Sequence, residues 1–295
     1  MREITKQSTN KLTIVGKLLD TTFNTGKTKD GKPYERANMT VRVTQSYGGR
    51  EETSDIPVSS FATQFTKTGA VNPAYNSLQE LKTLKTVQKY GMDEADTICM
   101  TTAQLRENAF VTKSKQLVTG FQFNSSFFSN KNIADAATFA VDIFIMDMRD
   151  EVDRDGDTTG RLIIKGGIVQ YGGSLDVVEF VVEAPNTVEH ISRYWQTNQT
   201  VQVRGRVRYT SVEVARPVSE DSWGEEIPET STKIVRELVV TTGDELDEDE
   251  CYEVSEIKKA FNARKARHEQ LMLEAQTNAS TKSATSSAKA SNGWE

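Results

Sequence analysis

A chain of 295 residues with 36% hydrophobic content holds material for two modest cores and a tail rather than for one large core. Its two cysteines, Cys99 and Cys251, lie far apart without metal-type neighbours, which excludes a disulfide framework, and no apolar run reaches the roughly 18 residues of a membrane span. The net charge of -6 is local: residues 1–216 hold 27 basic and 25 acidic side chains, residues 217–257 hold 2 and 14, and residues 258–295 hold 7 and 3. The body is therefore near neutral, which permits a local basic groove. The opening MREITKQSTN lacks the apolar core of a signal peptide, so the expectation is a soluble, cytoplasmic protein without a membrane partner.

Strand signals lead the chain. KLTIVGKLL (11–19), ERANMTVRVTQ (35–45) and ETSDIPVSSF (52–61) are short, β-rich and partly alternating, with turn residues between them. A helix is predicted next, with Asn72 as cap, Pro73 at its first position, Leu78, Leu81, Leu84 and Val87 on its apolar side and Gly91 at its end. DTICMTTAQL (96–105) and KQLVTGFQFN (115–124) complete a β-β-β-α-β-β unit.

The order then repeats. TFAVDIFIMDM (138–148), RLIIKGGIVQ (161–170) and DVVEFVVEA (176–184) precede a short helix, NTVEHISRYW (186–195), in which Asn186 and Glu189 have capping-box spacing. QTVQVRGRVRYT (199–210) and TKIVRELVVTT (232–242) follow. A local match supports duplication: Lys29-Asp30-Gly31, four residues, Arg36 has the form of Arg154-Asp155-Gly156, four residues, Arg161. Asp-Gly between extended segments favours the positive φ of a tight turn, so both copies are predicted to join strands 1 and 2 of their unit.

Five strands with a helix between the third and fourth is the order of the OB-fold, a small barrel that commonly binds oligonucleotides or oligosaccharides. The predicted fold class is mainly all-β: two tandem OB-fold-like five-stranded barrels, each with a helix between strands 3 and 4, then a C-terminal helix and a disordered tail. The expected boundaries are 10–130, 137–243, 244–276 for an acidic linker and helix, and 277–295 for the tail. Residues 11–45, with a glycine in the first strand and a charged loop before a basic, polar second strand, resemble the opening hairpin of single-stranded DNA-binding proteins. The layout of two barrels, an acidic stretch and a Ser/Ala-rich end is similar to the bacteriophage-encoded members of that family. The resemblance implies a non-catalytic protein that coats and protects single-stranded DNA in replication or recombination, in the host cytoplasm if viral. It also implies recruitment of replication or recombination proteins through the acidic or C-terminal tail. Here the acidic run is internal and the tip is Asn292-Gly293-Trp294-Glu295, a departure from the acidic, apolar-tipped tail of that family.

The outward faces are the physical test. In the second strand Ala37, Met39, Val41 and Val43 share one face, leaving Tyr34, Arg36, Asn38, Thr40 and Arg42 on the other. Phosphates need cations and exposed bases need a flat apolar surface, and this second face offers both. In the second unit the equivalent face shows Arg161, Ile163 and Lys165. Its fourth strand sets Gln202, Arg204, Arg206 and Arg208 opposite Val201, Val203, Gly205, Val207 and Tyr209. Three arginines on one face repel one another, so something anionic should cover them: phosphate, or carboxylates such as Glu179 and Glu183 or the segment after residue 217. Lys17 and the loop lysines Lys27, Lys29 and Lys32 border the expected groove. Lys82, Lys85 and Lys89 read as a solvated helix face. Among aromatics, Tyr34 and Tyr171 at hairpin positions are preferred as base platforms, with Phe23 after them. Phe121, Phe123, Phe127, Phe128 and Trp195 read as core.

The candidate nucleic-acid contacts are therefore Lys17, Tyr34, Arg36, Arg42, Arg161, Lys165, Tyr171, Arg204, Arg206 and Arg208. Enzyme readings find little: His190 and His268 are the two histidines, and no phosphate-cradling or nucleophile-elbow motif occurs. DRDGD (153–157) is followed by Thr158 where a calcium loop needs glycine, and it reads as a turn. Asp147, Asp150 and Glu151 precede that turn as solvated carboxylates. No cofactor or metal is called for. The ligand expected is single-stranded DNA, with RNA as the alternative; the competing class is an assembly module whose arginines are satisfied internally.

Overall fold

Side chains two apart share a face of an extended chain. In the computed structural model, which describes residues 6–131, 133–215 and 230–287, this alternation becomes eleven strands. β1 (Asn10–Lys27), β2 (Pro33–Tyr47) and β3 (Arg50–Thr63) form an antiparallel meander. Its inward side carries Ala37, Met39, Val41 and Val43, none more than 2% exposed, against Ile56 and Val58 of β3. β4 (Thr97–Val111) and β5 (Leu117–Asn124) follow. β5 runs parallel to β3 through Val58↔Phe123 and antiparallel to β4, and β4 returns to β1 through Val15↔Cys99, so the ring closes. The two-residue β6 (Ser129–Asn130) lies on β4. A Cβ at Gly16 would stand 2.1 Å from the carbonyl oxygen of Arg42, so β1 and β2 can cross here only over a glycine.

Between β3 and β4 the structure departs from the single helix predicted over 72–91. α1 (Pro73–Leu81) starts as expected, with the Asn72 side chain accepting the Ala74 N–H, but the helix stops and α2 (Val87–Tyr90) begins afresh. The Thr83 hydroxyl donates to the Glu80 carbonyl, and the Asp96 carboxylate accepts the Lys85 N–H, diverting the intervening backbone from helical pairing. Gly91, at φ +84°, ends the second piece.

β7 (Ala136–Val152), β8 (Thr158–Val169), β9 (Leu175–Val182), β10 (Thr200–Ala215) and β11 (Thr230–Glu245) form a second ring with the same wiring. β9 and β11 are parallel at Val181↔Val239, and β10 closes onto β7. The paired Asp-Gly turns have matching geometry. Thr28 N–H donates to the Lys32 carbonyl at 2.8 Å and Asp153 N–H to that of Asp157 at 2.9 Å, with Gly31 at φ +76° and Gly156 at φ +92°. α3 (Pro185–Tyr194) sits between β9 and β10 and anchors Trp195, which is 5% exposed. Its predicted capping box does not form: Pro185 takes the first helical position, so Ala184 is the cap and Asn186 lies inside the helix.

The barrels share one sheet. Asn10–Val15 of β1 pair antiparallel with Val141–Ala136 of β7, and a single apolar core runs through both rings. The buried Asn10 side chain seals the seam, accepting the Leu105 N–H at 2.9 Å and donating to its carbonyl at 2.7 Å. α4 (Val254–Ser287) packs Ile257, Ala260 and Phe261 on Phe144, Val169, Leu175 and Val177 of the second barrel. Its backbone runs past the boundary of 276 expected for the helix, as far as Ser287. Of the acidic loop expected over 217–231, residues 217–229 lie outside the described residues and the last two open β11; the tail from residue 288, Trp294 included, also lies outside the described residues.

Candidate nucleic-acid interface

On the first barrel the outward residues of β2 meet those of β3 in register: Arg36↔Phe61, Asn38↔Ser59 and Arg42↔Asp55. β3 buries Ser54, Ile56, Val58, Ser60 and Ala62, so Phe61 between them must point out, and it is 48% exposed. Tyr34 packs on Phe61 with ring centroids 5.2 Å apart and planes inclined by 40°. Its ring also covers Gly26, its β1 partner, where a Cβ would lie 2.7 Å from the Tyr34 hydroxyl. Beside these rings opens a groove of about 460 Å³, lined by Arg36, Phe61 and Phe127 and by amide and hydroxyl side chains including Gln104, Gln122 and Asn124. Its lining contains no carboxylate. Arg36 is exposed and has no ion-pair partner among the described residues; Phe127 is 51% exposed. Lys27, Lys29 and Lys32 at the end of the β1–β2 arm are likewise unpaired with any described carboxylate. The site therefore offers a guanidinium without an ion-pair partner among the described residues, a tilted aromatic pair and neutral hydrogen-bonding groups on one face.

Other sequence-predicted contacts of this barrel are engaged elsewhere. Arg42 donates from Nε and a terminal nitrogen to the two oxygens of Asp55, both at 2.7 Å, and this raises its pKa. The Lys17 ammonium donates to the Ala95 carbonyl at 2.7 Å, so it braces the turn before β4. Phe61 was absent from the predicted set, although the alternation of SDIPVSSFAT already sets it outward. Phe127, read as core, is half-exposed, because the chain leaves the sheet after Asn124.

On the second barrel the predicted arginine stripe is paired with carboxylates of this chain. Arg206 is 6% exposed and donates to Glu52 at 2.6 Å and Glu183 at 2.7 Å, with its guanidinium 4.2 Å from the centre of the Tyr47 ring. Arg208 is held by Glu52, Glu183 and Glu237, at 3.2, 2.9 and 2.8 Å. Arg161 completes the cluster, with Glu237 at 2.6 Å and Glu151 at 3.3 Å. Burial disfavours the charge on Arg208, but its hydrogen bonds to Glu183 and Glu237 outweigh that and raise its pKa. Burial likewise works against ionised Glu183, yet bonds from Arg208 and Arg206 pull its pKa below the ordinary carboxylate value. Of the alternatives open for the stripe, internal pairing is the one present for Arg206 and Arg208, through Glu183 as named from the sequence and through Glu52, which arrives from the β2–β3 hairpin of the other barrel.

The remaining predicted residues scatter. Arg204 is exposed and paired with Asp244 at 2.9 Å. Lys165, opposite Glu179, lines a groove of about 430 Å³ that also holds Glu151, Glu237, Arg236 and Arg264. Ile163, expected outward, is buried. Tyr171 is 87% exposed at the β8–β9 turn and lines neither groove.

Two rings of identical five-strand wiring, each with helical structure between its third and fourth strands, have the architecture of OB-fold-like barrels. The chain belongs to the YorF family, whose model matches residues 8–276. No curated protein matches it. Among solved structures it is similar to the wild-type single-stranded DNA binding protein from Thermus aquaticus, at 10% identity and a TM-score of 0.47 over 84% of this chain and 98% of that one. A deletion mutant of that protein gives the same identity and score over 82% and 97%.

Proposed function

We propose that this chain binds single-stranded nucleic acid, DNA before RNA, along the groove of the first barrel, and that it coats such strands in replication or recombination without catalysing a reaction. The observation that carries the reading is the carboxylate-free groove with unpaired Arg36 beside the Tyr34–Phe61 pair. A strand laid there sets phosphates against Arg36 and the arm lysines and bases against Phe61 and Phe127. Each stacked base is worth about 1–3 kcal/mol and needs no sequence match. A bacteriophage setting and recruitment of replication proteins through the tail belong to the same proposal. Among the described residues no helix is long and apolar enough to cross a membrane.

A second reading, an assembly module without nucleic acid, draws support from the internal pairing of Arg206 and Arg208. Fluorescence anisotropy with labelled oligo(dT) at two salt concentrations separates the two. The nucleic-acid reading expects tight binding at low salt, weak binding to duplex, and affinity that falls steeply as salt rises. Phe61→Ala should weaken oligo(dT) by about tenfold or more. Absence of binding by the unaltered protein at low salt would leave the assembly reading.

A further inference from the structure

The two barrels carry the same arginine in different company. Arg36 and Arg161 hold matching places after the paired Asp-Gly turns, and each lies between a first-strand and a third-strand neighbour. Around Arg36 those neighbours are Asn24 and Phe61. Around Arg161 they are Glu151, in ion-pair contact, and Glu183, one step beyond the Leu162↔Val182 pair of the ladder. The fifth strand adds Glu237, and the first barrel contributes Glu52 to the same cluster. Three guanidinium groups thus face four carboxylates and each of the three is ion-paired, while Lys233 and Arg236 lie farther along the same groove.

We infer, resting on the nucleic-acid reading, that the duplicated protein keeps one working groove, and that Glu151, Glu183 and Glu237, reinforced by Glu52, silence the copy on the second barrel. A phosphate entering there would have to displace a carboxylate already bonded at 2.6–2.9 Å in a half-buried site, whereas one entering beside Arg36 displaces water. The arms differ in the same sense: the β1–β2 arm carries Lys27, Lys29 and Lys32 with Asp30, and the matching β7–β8 turn carries Asp153, Asp155 and Asp157 with Arg154. The single strand is thus bound by one barrel, and the second serves as its platform.

The test uses full-length protein and labelled oligo(dT) of increasing length at several salt concentrations. Arg36→Gln should lose about tenfold in affinity and flatten the salt dependence by about one phosphate contact, whereas Arg161→Gln should stay within about twofold of the parent in both. Glu151→Asn combined with Glu237→Gln, which strips two carboxylates and leaves Glu183 and Glu52 on Arg206, should gain affinity on long strands and lengthen the occluded site. If that double variant fails to fold, by its thermal melt, the comparison of Arg161→Gln with Arg36→Gln decides. Equal losses in those two would overturn the inference, as would a folded double variant with parental affinity and site length. Failure of the parent to bind at low salt removes the nucleic-acid reading itself, an outcome distinct from either.

Discussion

Glu183→Gln isolates the ion-pair cluster with almost no change of shape. Glu183 bonds Arg206 at 2.7 Å and Arg208 at 2.9 Å, and the Arg206 side chain is only 7% exposed. Removing one partner of a fully buried pair costs about 3–5 kcal/mol. Glu183 keeps about a third of its surface in water, and Glu52 still serves both arginines, so a loss of about 2–3 kcal/mol is expected. For a chain of this size that lowers Tm by about 4–9 °C. The pH dependence supplies a second readout. The folded-state pKa of Glu183 lies below its ordinary value of 4.5, so the unfolded chain binds the proton more readily. The stabilisation is therefore complete above about pH 4.5 and is lost as pH falls through the folded value. Calorimetric melts between pH 3 and 7 should show parent and variant farthest apart at neutral pH and converging in acid. A variant melting within about 1 °C of the parent at pH 7 would refute the assignment of structural weight to this cluster.

Gly16→Ala forces a methyl group to 2.1 Å from a backbone oxygen, which no rotamer change relieves; a loss of about 3 kcal/mol or more is expected, read as a lower urea midpoint. Asn10→Ala removes the acceptor of the Leu105 N–H at the buried seam and leaves the Leu105 carbonyl to Gln170 Nε2 at 3.2 Å, so a loss of about 1–3 kcal/mol should appear in urea titration, and a change below about 0.5 kcal/mol would count against the seam. His268 is buried against β4, where burial first and Arg264 second hold its pKa below 6.5 despite the opposing pull of Glu107. The folded state thus resists its protonation, and stability present above pH 6.5 is lost as pH falls further. Hydrogen exchange in α4 should quicken between pH 6.5 and 5 relative to the rest of the protein, and His268→Asn should abolish that extra acceleration.

The duplicated barrel was readable in the sequence because alternation and Asp-Gly turns are local properties. Ala37, Met39, Val41 and Val43 declare an inward face without reference to any distant residue, and Gly31 and Gly156 take the positive φ that their turns require. What escaped depends on remote partners. The helix over 72–91 is interrupted because Asp96 captures the backbone of Lys85. The arginine stripe is covered in part by Glu52, 154 residues before Arg206, a distance at which charge patterning says nothing. The capping box failed for a local reason that was available: a proline before Asn186 claims the first helical position. Phe61 was available too, since its neighbours Ser60 and Ala62 both point inward. Arg36 and Tyr34 stand where the strand period put them, and the partner of each explains why one is free and the other stacked.

The seam between β1 and β7 also bears on how the protein is made. Asn10–Val15 leave the ribosome more than a hundred residues ahead of their β7 partners, and the Ser8 hydroxyl meets the Tyr252 hydroxyl across a separation of 244 residues. The β1 segment therefore presents an unsatisfied strand edge until residues 136–141 have been made, the kind of edge that templates association with other chains. Contacts of such long range also slow folding. The seam closes only when β7 is in place, so a product terminated before residue 141 is a hazard to its neighbours rather than a smaller working protein.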